Sequence, residues 1–217
     1  MDMLYGFTQF FQDGGPFMVP IALVLSIGLA IAIERYLYLG RVMRANRRDF
    51  DALLPLVSEG RFRELRQTTD SLASAVSHIY REGLDRMRTT RRRQDVEYAM
   101  EESLMEALPA IEKRTAYLAT FANIATLLGL LGTIIGLIAA FSAVANADPA
   151  EKATLLSQSI SIAMNTTAFG LMAAIPLLLI HAFLQGRTQA IVESLEISMV
   201  KFLNFMERNR TDGDTAS

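Results

Sequence analysis

No cysteine occurs in the 217 residues, which removes disulfides, thiolate metal sites and cysteine nucleophiles together. An excess of positive charge is missing too. Lys and Arg number 21 against 23 Asp and Glu, for a formal net charge of -2, so nothing in the balance calls for a nucleic-acid partner. Charge of either sign is absent from three long runs, Gly14 to Ile33, residues 115–147 and Ala153 to Gly186. Those runs contain no G-x-S-x-G elbow, no H-E-x-x-H and no paired carboxylates, which argues against an intramembrane enzyme. The three runs are also unlike one another, whereas secondary transporters usually carry internal repeats. The reading calls for no cofactor and no metal.

What is present is hydrophobic and segregated: 51% of the chain is hydrophobic and its 20% of charged residues lie mostly between the runs. A helix rises 1.5 Å per residue and a bilayer core is about 30 Å thick, so about 20 residues cross it. The run containing Tyr117 to Phe141 exceeds that length. Within it, Gly129, Gly132, Gly136 and Ala140 follow at three- and four-residue steps, the spacing that lets a second helix approach closely in lipid. Thr126 and Thr133, seven apart, share a face of the same helix.

Taken in order, residues 1–15 hold Phe7, Phe10 and Phe11 at helical spacing before Gly14, Gly15 and Pro16, and predict a periplasmic segment lying in the membrane interface. The flank carries Asp2 and Asp13 and lacks the positive n-region of a cleaved signal, so TM helix 1, placed at 16–39, is expected to remain as an anchor. Arg35, Arg41, Arg44, Arg47 and Arg48 follow it, which puts the N-terminus outside and the next segment in the cytoplasm. Glu34 at that boundary is expected to be solvated or paired with arginine.

Residues 40–114 form a cytoplasmic helical insert with 15 Lys/Arg and 13 Asp/Glu, the balance of a folded, salt-bridged surface. A short helix is expected over 47–57, closed near Gly60. Phe62, Leu65, Thr69, Leu72, Val76, Ile79 and Gly83 then keep a three-and-four spacing that predicts one helix. His78 lies beside that stripe with no second ligand nearby and is assigned no chemistry. The cluster Arg91-Arg92-Arg93 lies about 33 Å of helix from the membrane, well beyond the Debye length of about 8 Å, and reads as a loop or an ion pair between subunits. From Val96 to Ile111 a helical stripe leads into TM helix 2 at 115–145, with a kink expected at Pro109.

A periplasmic loop occupies 146–154, TM helix 3 occupies 155–185, a cytoplasmic helix 186–208 and a flexible tail 209–217. The fold class is an all-α membrane protein with three transmembrane helices, the second and third extended into a cytoplasmic helical domain.

The third span is polar for its depth: Ser157, Ser161 and Asn165 line one face, and Thr167, Gly170, Ala174 and His181 fall within about 60° of one another at 100° per residue. Polar groups inside a membrane face other helices or a water-filled cavity. Two readings stand side by side: hydroxyls lining a pore or holding a partner, or hydroxyls bonding the preceding turn while the helices pack. Neither span carries Asp, Glu, Lys or Arg in its core, so a proton pathway here needs a carboxyl group from another chain. His181 is the single titratable group of the third span and a candidate relay.

The run A-N-I-A-T-L-L-G-L-L-G-T-I-I-G-L-I-A-A-F at 122–141, with T-T-A-F-G-L-M-A-A-I-P at 166–176, resembles the MotA/TolQ/ExbB family of proton-channel subunits. Glu34-Arg35 to Leu39 is similar to the family's E-R-x-x-x-L segment. Three spans with a short outer loop resemble its ExbB and TolQ branch. The resemblance implies a homopentamer in the bacterial inner membrane, with an ExbD/TolR-like single-span partner carrying a membrane aspartate and a TonB-like energy transducer further on. It implies that Thr133 and Thr167 face that aspartate. Thr126, Asn165 and Thr166 are read as candidates lining the same pathway, and Gly129, Gly132, Gly136 and Gly170 as packing the helices. Ile162 stands where ExbB and TolQ carry a glutamate. A stator of TolQ type, serving envelope maintenance or motility, and a non-conducting scaffold remain open beside the ExbB-like reading, as do proton and sodium coupling.

Overall fold

In the computed structural model, residues 10–11, 14–90, 92–145 and 147–215 are described, with side chains as far as Arg208. Phe7 and Arg91 lie outside them. The described residues are 90% helical, and no strand occurs among them. The helices are α1 (Met18–Ser58), α2 (Phe62–Ser71), α3 (Ala75–Thr89), α4 (Arg93–Glu112), α5 (Thr115–Ala145) and α6 (Lys152–Thr215). Three stretches, in α1, in α4–α5 and in α6, are long and apolar enough to cross a membrane, with mean hydropathies of 1.9, 2.4 and 2.0. This is an all-helical membrane protein.

The chain divides into two compact units. An apolar unit comprises Met1–Arg35 and Arg114–Leu184, and a charged unit comprises Tyr36–Lys113 and Gln185–Ser217. In the apolar unit α5 and α6 run antiparallel: Gly129 meets Gly170, Gly132 meets Thr166 and Gly136 meets Ala163, one number falling as the other rises. The first part of α1 packs on the pair through Gly28, where a Cβ would come 2.7 Å from Leu177 Cδ2. Ahead of α1, the rings of Phe10 and Phe11 lie edge-on to Phe169 at 6.4 and 5.7 Å. Gly15, at φ +74°, turns the chain into the helix.

The charged unit has its own core, built from Leu39, Leu53, Leu65, Ile79, Met100 and Leu195 among others. Tyr80 is buried there against Phe202, ring centroids 5.0 Å apart, and its hydroxyl donates to Ser198 O at 3.0 Å. Burial pushes the pKa of that phenol up. On the surface, Arg66 binds Asp85 and Asp70, and hydrogen bonding to Asp85 raises its pKa. His78 is exposed, its Nδ1 2.8 Å from Ser103 Oγ.

Three sequence expectations meet a different structure, and a fourth, for the arginine cluster, is met in part. Residues 47–57 are no separate helix, because α1 continues without interruption to Ser58 and carries Pro55 in its last turn. Gly60 then ends it at φ +70°, with Gly60 N bonded to Val57 O at 3.2 Å and Arg61 N to Leu56 O at 2.9 Å. A left-handed glycine with this pair of bonds satisfies the carbonyls that a helix end leaves open.

The stripe from Phe62 to Gly83 is split between α2 and α3. Leu72 is extended, and Ser74 caps α3 by accepting from Ser77 N at 3.2 Å. The step from Leu72 to Val76 keeps the spacing across the gap, so periodicity alone cannot reveal it. Of the arginine cluster, Arg92 lies in the loop before α4, while Arg93 at the start of α4 binds Glu207 and Asn204 of the same chain.

The interruption before the second span lies at Lys113-Arg114 rather than at Pro109. Pro109 sits inside α4 and withholds one donor, Lys113 N still bonds Pro109 O at 3.0 Å, and Arg114 turns left-handed at φ 66°. Its guanidinium lies 3.6 Å from Glu34, so the boundary glutamate is arginine-paired.

Candidate functional site

The site grows from the contact of α5 with α6. Gly129 and Gly170 have no side chains to separate the helices: a Cβ on Gly170 would lie 2.7 Å from Ala125 O and 3.0 Å from Gly129 Cα. One turn further along α5, Thr133 comes level with Thr167 on α6, and the two hydroxyls are hydrogen-bonded to each other. Thr167 Oγ1 also reaches Gly129 O at 2.9 Å, and Thr133 Oγ1 reaches the same oxygen at 3.1 Å. Ala163 O lies 3.5 Å from Thr133 Oγ1. Both threonines are half-buried.

A proton count defines what this cluster offers. Two hydroxyls supply two protons and four lone pairs. The Thr–Thr bond consumes one proton and the Gly129 carbonyl the other. The closed pair therefore presents lone pairs to a visitor and no free donor. Opening the Thr–Thr bond releases one donor. The arrangement accepts from an O–H group when closed and donates to an anion when opened.

The remaining residues singled out by sequence occupy different places. Thr166 is 2% exposed; its hydroxyl donates to Gly14 O at 2.6 Å and lies 3.0 Å from Ile162 O, with Gly132 against its methyl. It holds the segment before α1 onto α6. Ile162 lies beside Gly15, whose Cβ would stand 3.1 Å from Ile162 Cγ2.

Thr126 is exposed and donates to Ala122 O at 3.1 Å. Asn165 is half-buried and makes no side-chain hydrogen bond among the described residues. His181 lies 14 residues beyond Thr167, about 21 Å along α6, so the structure does not bring it to the pair. The Gly14 carbonyl is the participant that sequence reasoning missed, because a backbone acceptor 152 residues away leaves no trace in spacing. No group of three or more His, Cys, Asp or Glu suited to a metal occurs among the described residues.

Residues 71–197, more than half of the chain, match the MotA/TolQ/ExbB proton channel family. The chain belongs to that family. Among its relatives, an ExbB homolog of Methanothermobacter thermautotrophicus is 28% identical over 198 residues, covering 87% of this chain and 66% of the relative. The Tol-Pal system protein TolQ of Haemophilus influenzae is 32% identical over 112 residues, 51% of this chain and 48% of its own. The biopolymer transport protein ExbB-like 3 of Synechocystis is 30% identical over 170 residues, 76% of this chain and 79% of that protein. The chain thus spans about two thirds and about half of the length of the first two. The MotA/TolQ/ExbB match covers α3, α4, α5 and the part of α6 that carries Thr167, and so includes the whole threonine pair.

Proposed function

We propose that this member of the MotA/TolQ/ExbB family is a stator and proton-channel subunit of the bacterial inner membrane, its N-terminus periplasmic and its C-terminus cytoplasmic. As a homo-oligomer, a pentamer by family resemblance, it would surround an ExbD/TolR-like single-span partner carrying a membrane aspartate. Proton entry would move that partner and energise envelope transport, through a TonB-like transducer or, in a TolQ-like role, through envelope maintenance. A proton crossing the membrane releases about 2.3 kcal/mol per 100 mV.

The observation that carries the reading is the Thr133–Thr167 pair, bridging two helices in stretches with no acid of their own. A protonated partner carboxyl donates to a lone pair of the closed pair. Once ionised, it accepts a hydrogen bond from the hydroxyl freed when the Thr–Thr bond opens. The pair thus distinguishes the two charge states of a visiting carboxyl group. Thr166, bonded to Gly14 O, takes a structural role here rather than a pore-lining one.

The test is proton uptake by proteoliposomes holding the chain with its single-span partner. Losing a hydrogen bond to a charged group costs about 1.5–3 kcal/mol, a factor of roughly 10–100 in rate. Thr133→Val and Thr167→Val are each expected to slow uptake by that factor with the complex intact, and Thr133→Ser to retain most of it. Full uptake in Thr133→Val overturns the reading. A non-conducting scaffold is the second reading, and the place of both hydroxyls within 3.1 Å of Gly129 O favours it. Under that reading Thr133→Val loosens the α5–α6 contact, and the envelope task persists in the presence of a protonophore.

A further inference from the structure

The charged unit leaves two helix faces of opposite sign largely without partners inside the chain. On α1, Arg41, Arg44 and Arg48 are exposed and fall within about 60° of one another at 100° per residue. Arg44 Nε donates to Gly40 O at 2.9 Å and Arg48 Nε to Asp49 at 3.0 Å. Arg41 makes no ion pair among the described residues. On α3 and α4, Glu82, Asp85, Glu102 and Glu106 line a groove of about 530 Å³, bordered by His78 and Arg86. Asp85 is taken by Arg66, whereas Glu82, Glu102 and Glu106 make no ion pair among the described residues. Along its length α4 carries six carboxylates and one arginine.

Along α1, Arg41 to Arg48 spans about 11 Å of helix, and along α4 Glu102 and Glu106 lie about 6 Å apart, so more than one guanidinium can meet a carboxylate at once.

We propose that Arg41, Arg44 and Arg48 of one copy dock on Glu82, Glu102 and Glu106 of a second copy. The contact joins unlike faces, so every copy keeps one face of each kind for a further neighbour, and such contacts in a membrane plane close into a ring. Anionic headgroups are a poorer match for the arginine face, because Arg48 lies beyond a Debye length of about 8 Å from the span end. The inference rests on the reading of the chain as an oligomeric stator subunit, and names the surface that joins its copies.

The absence of cysteine makes the test direct. Two differently tagged full-length copies, one Arg44→Cys and one Glu102→Cys, are expressed together and treated in the membrane with a short bis-maleimide. A mixed-tag dimer is expected. Arg41→Glu with Arg48→Glu on the first copy should lower its yield several-fold, and Glu82→Arg with Glu106→Arg on the second copy should restore it. About 1 M salt, where the Debye length is about 3 Å, should weaken the native pairing in the same direction.

An intact oligomer by native mass with no mixed dimer overturns the docking and leaves the stator reading standing. A cross-link indifferent to charge reversal overturns it as well. So does an Arg44→Glu variant whose one change is weaker retention of anionic lipid. A monomer overturns both readings. Thr133→Val should leave the cross-link unchanged, which separates docking from proton coupling.

Discussion

Glycine marks where two helix backbones touch and where they do not. A methyl on Gly170 would press on the Ala125 carbonyl and the Gly129 Cα, backbone atoms with no rotamer to yield. Gly170→Ala is therefore expected to cost about 1–3 kcal/mol, seen as a lower Tm in detergent. Gly40, inside α1, has nothing within 4 Å of its would-be Cβ, so Gly40→Ala should stabilise by about 0.5–1 kcal/mol. The sequence shows both glycines alike. It reveals spacing and hydroxyl content, and so directs attention to Thr133, Gly129 and Gly170. Which hydroxyl turns toward α6 and which toward Gly14 depends on chain segments far apart in number.

Tyr80 makes a comparable point with a titration. Its pKa is raised by burial above the ordinary 10.0, so the native state holds its proton more tightly than the unfolded chain does. That stability is fully present below pH 10 and is lost as pH rises above it, by at most about 1.4 kcal/mol per pH unit. Alkaline unfolding of the charged unit should accordingly begin near pH 10, and Tyr80→Phe should remove that slope. A Tyr80→Phe variant with the same alkaline slope would show that another group sets it.

At the scale of elements, the long apolar runs were readable because a span's length is set by the bilayer and its rise by the helix. Breaks were harder to read. The α2–α3 gap hides inside an unbroken three-and-four stripe, and the clue to it is a single side chain, Ser74, which caps α3. Ser74→Ala should cost about 1 kcal/mol and fray the first turn of α3, visible as faster amide exchange at Ala75 to Ser77. Unchanged exchange there would mean that packing of Val76 and Ile79, and not the cap, fixes where the helix begins. At the α4–α5 junction the proline drew attention to the wrong residue. Pro109 withholds one donor within α4, but the helix is interrupted where a left-handed Arg114 faces Glu34. A non-glycine residue in that conformation costs about 1–2 kcal/mol, offset here by its place between two helices.

For the whole molecule, burial inside one chain is incomplete. Between 22% and 33% of the most apolar window of each spanning stretch is covered by the chain itself. Leu127, Ile134, Ile138 and Phe141 on α5 stay largely exposed, as do Met172, Ile175 and Leu179 on α6. Lipid alone suits such faces, yet the half-buried Thr133 and Thr167 lie in the same two helices and suit an aqueous or protein neighbour. Native mass measured from nanodiscs is expected to be a multiple of the 24.0 kDa protomer mass. A 24.0 kDa particle would leave the threonine pair with no enclosed space to serve.

The hydrogen bond from Thr166 to the Gly14 carbonyl joins residues 152 positions apart. Translation runs at roughly 5–20 residues per second, so the acceptor is made on the order of 10–30 s before its donor. During biogenesis the first helix must enter the bilayer and wait, its leading segment undocked, until the last one has been threaded in.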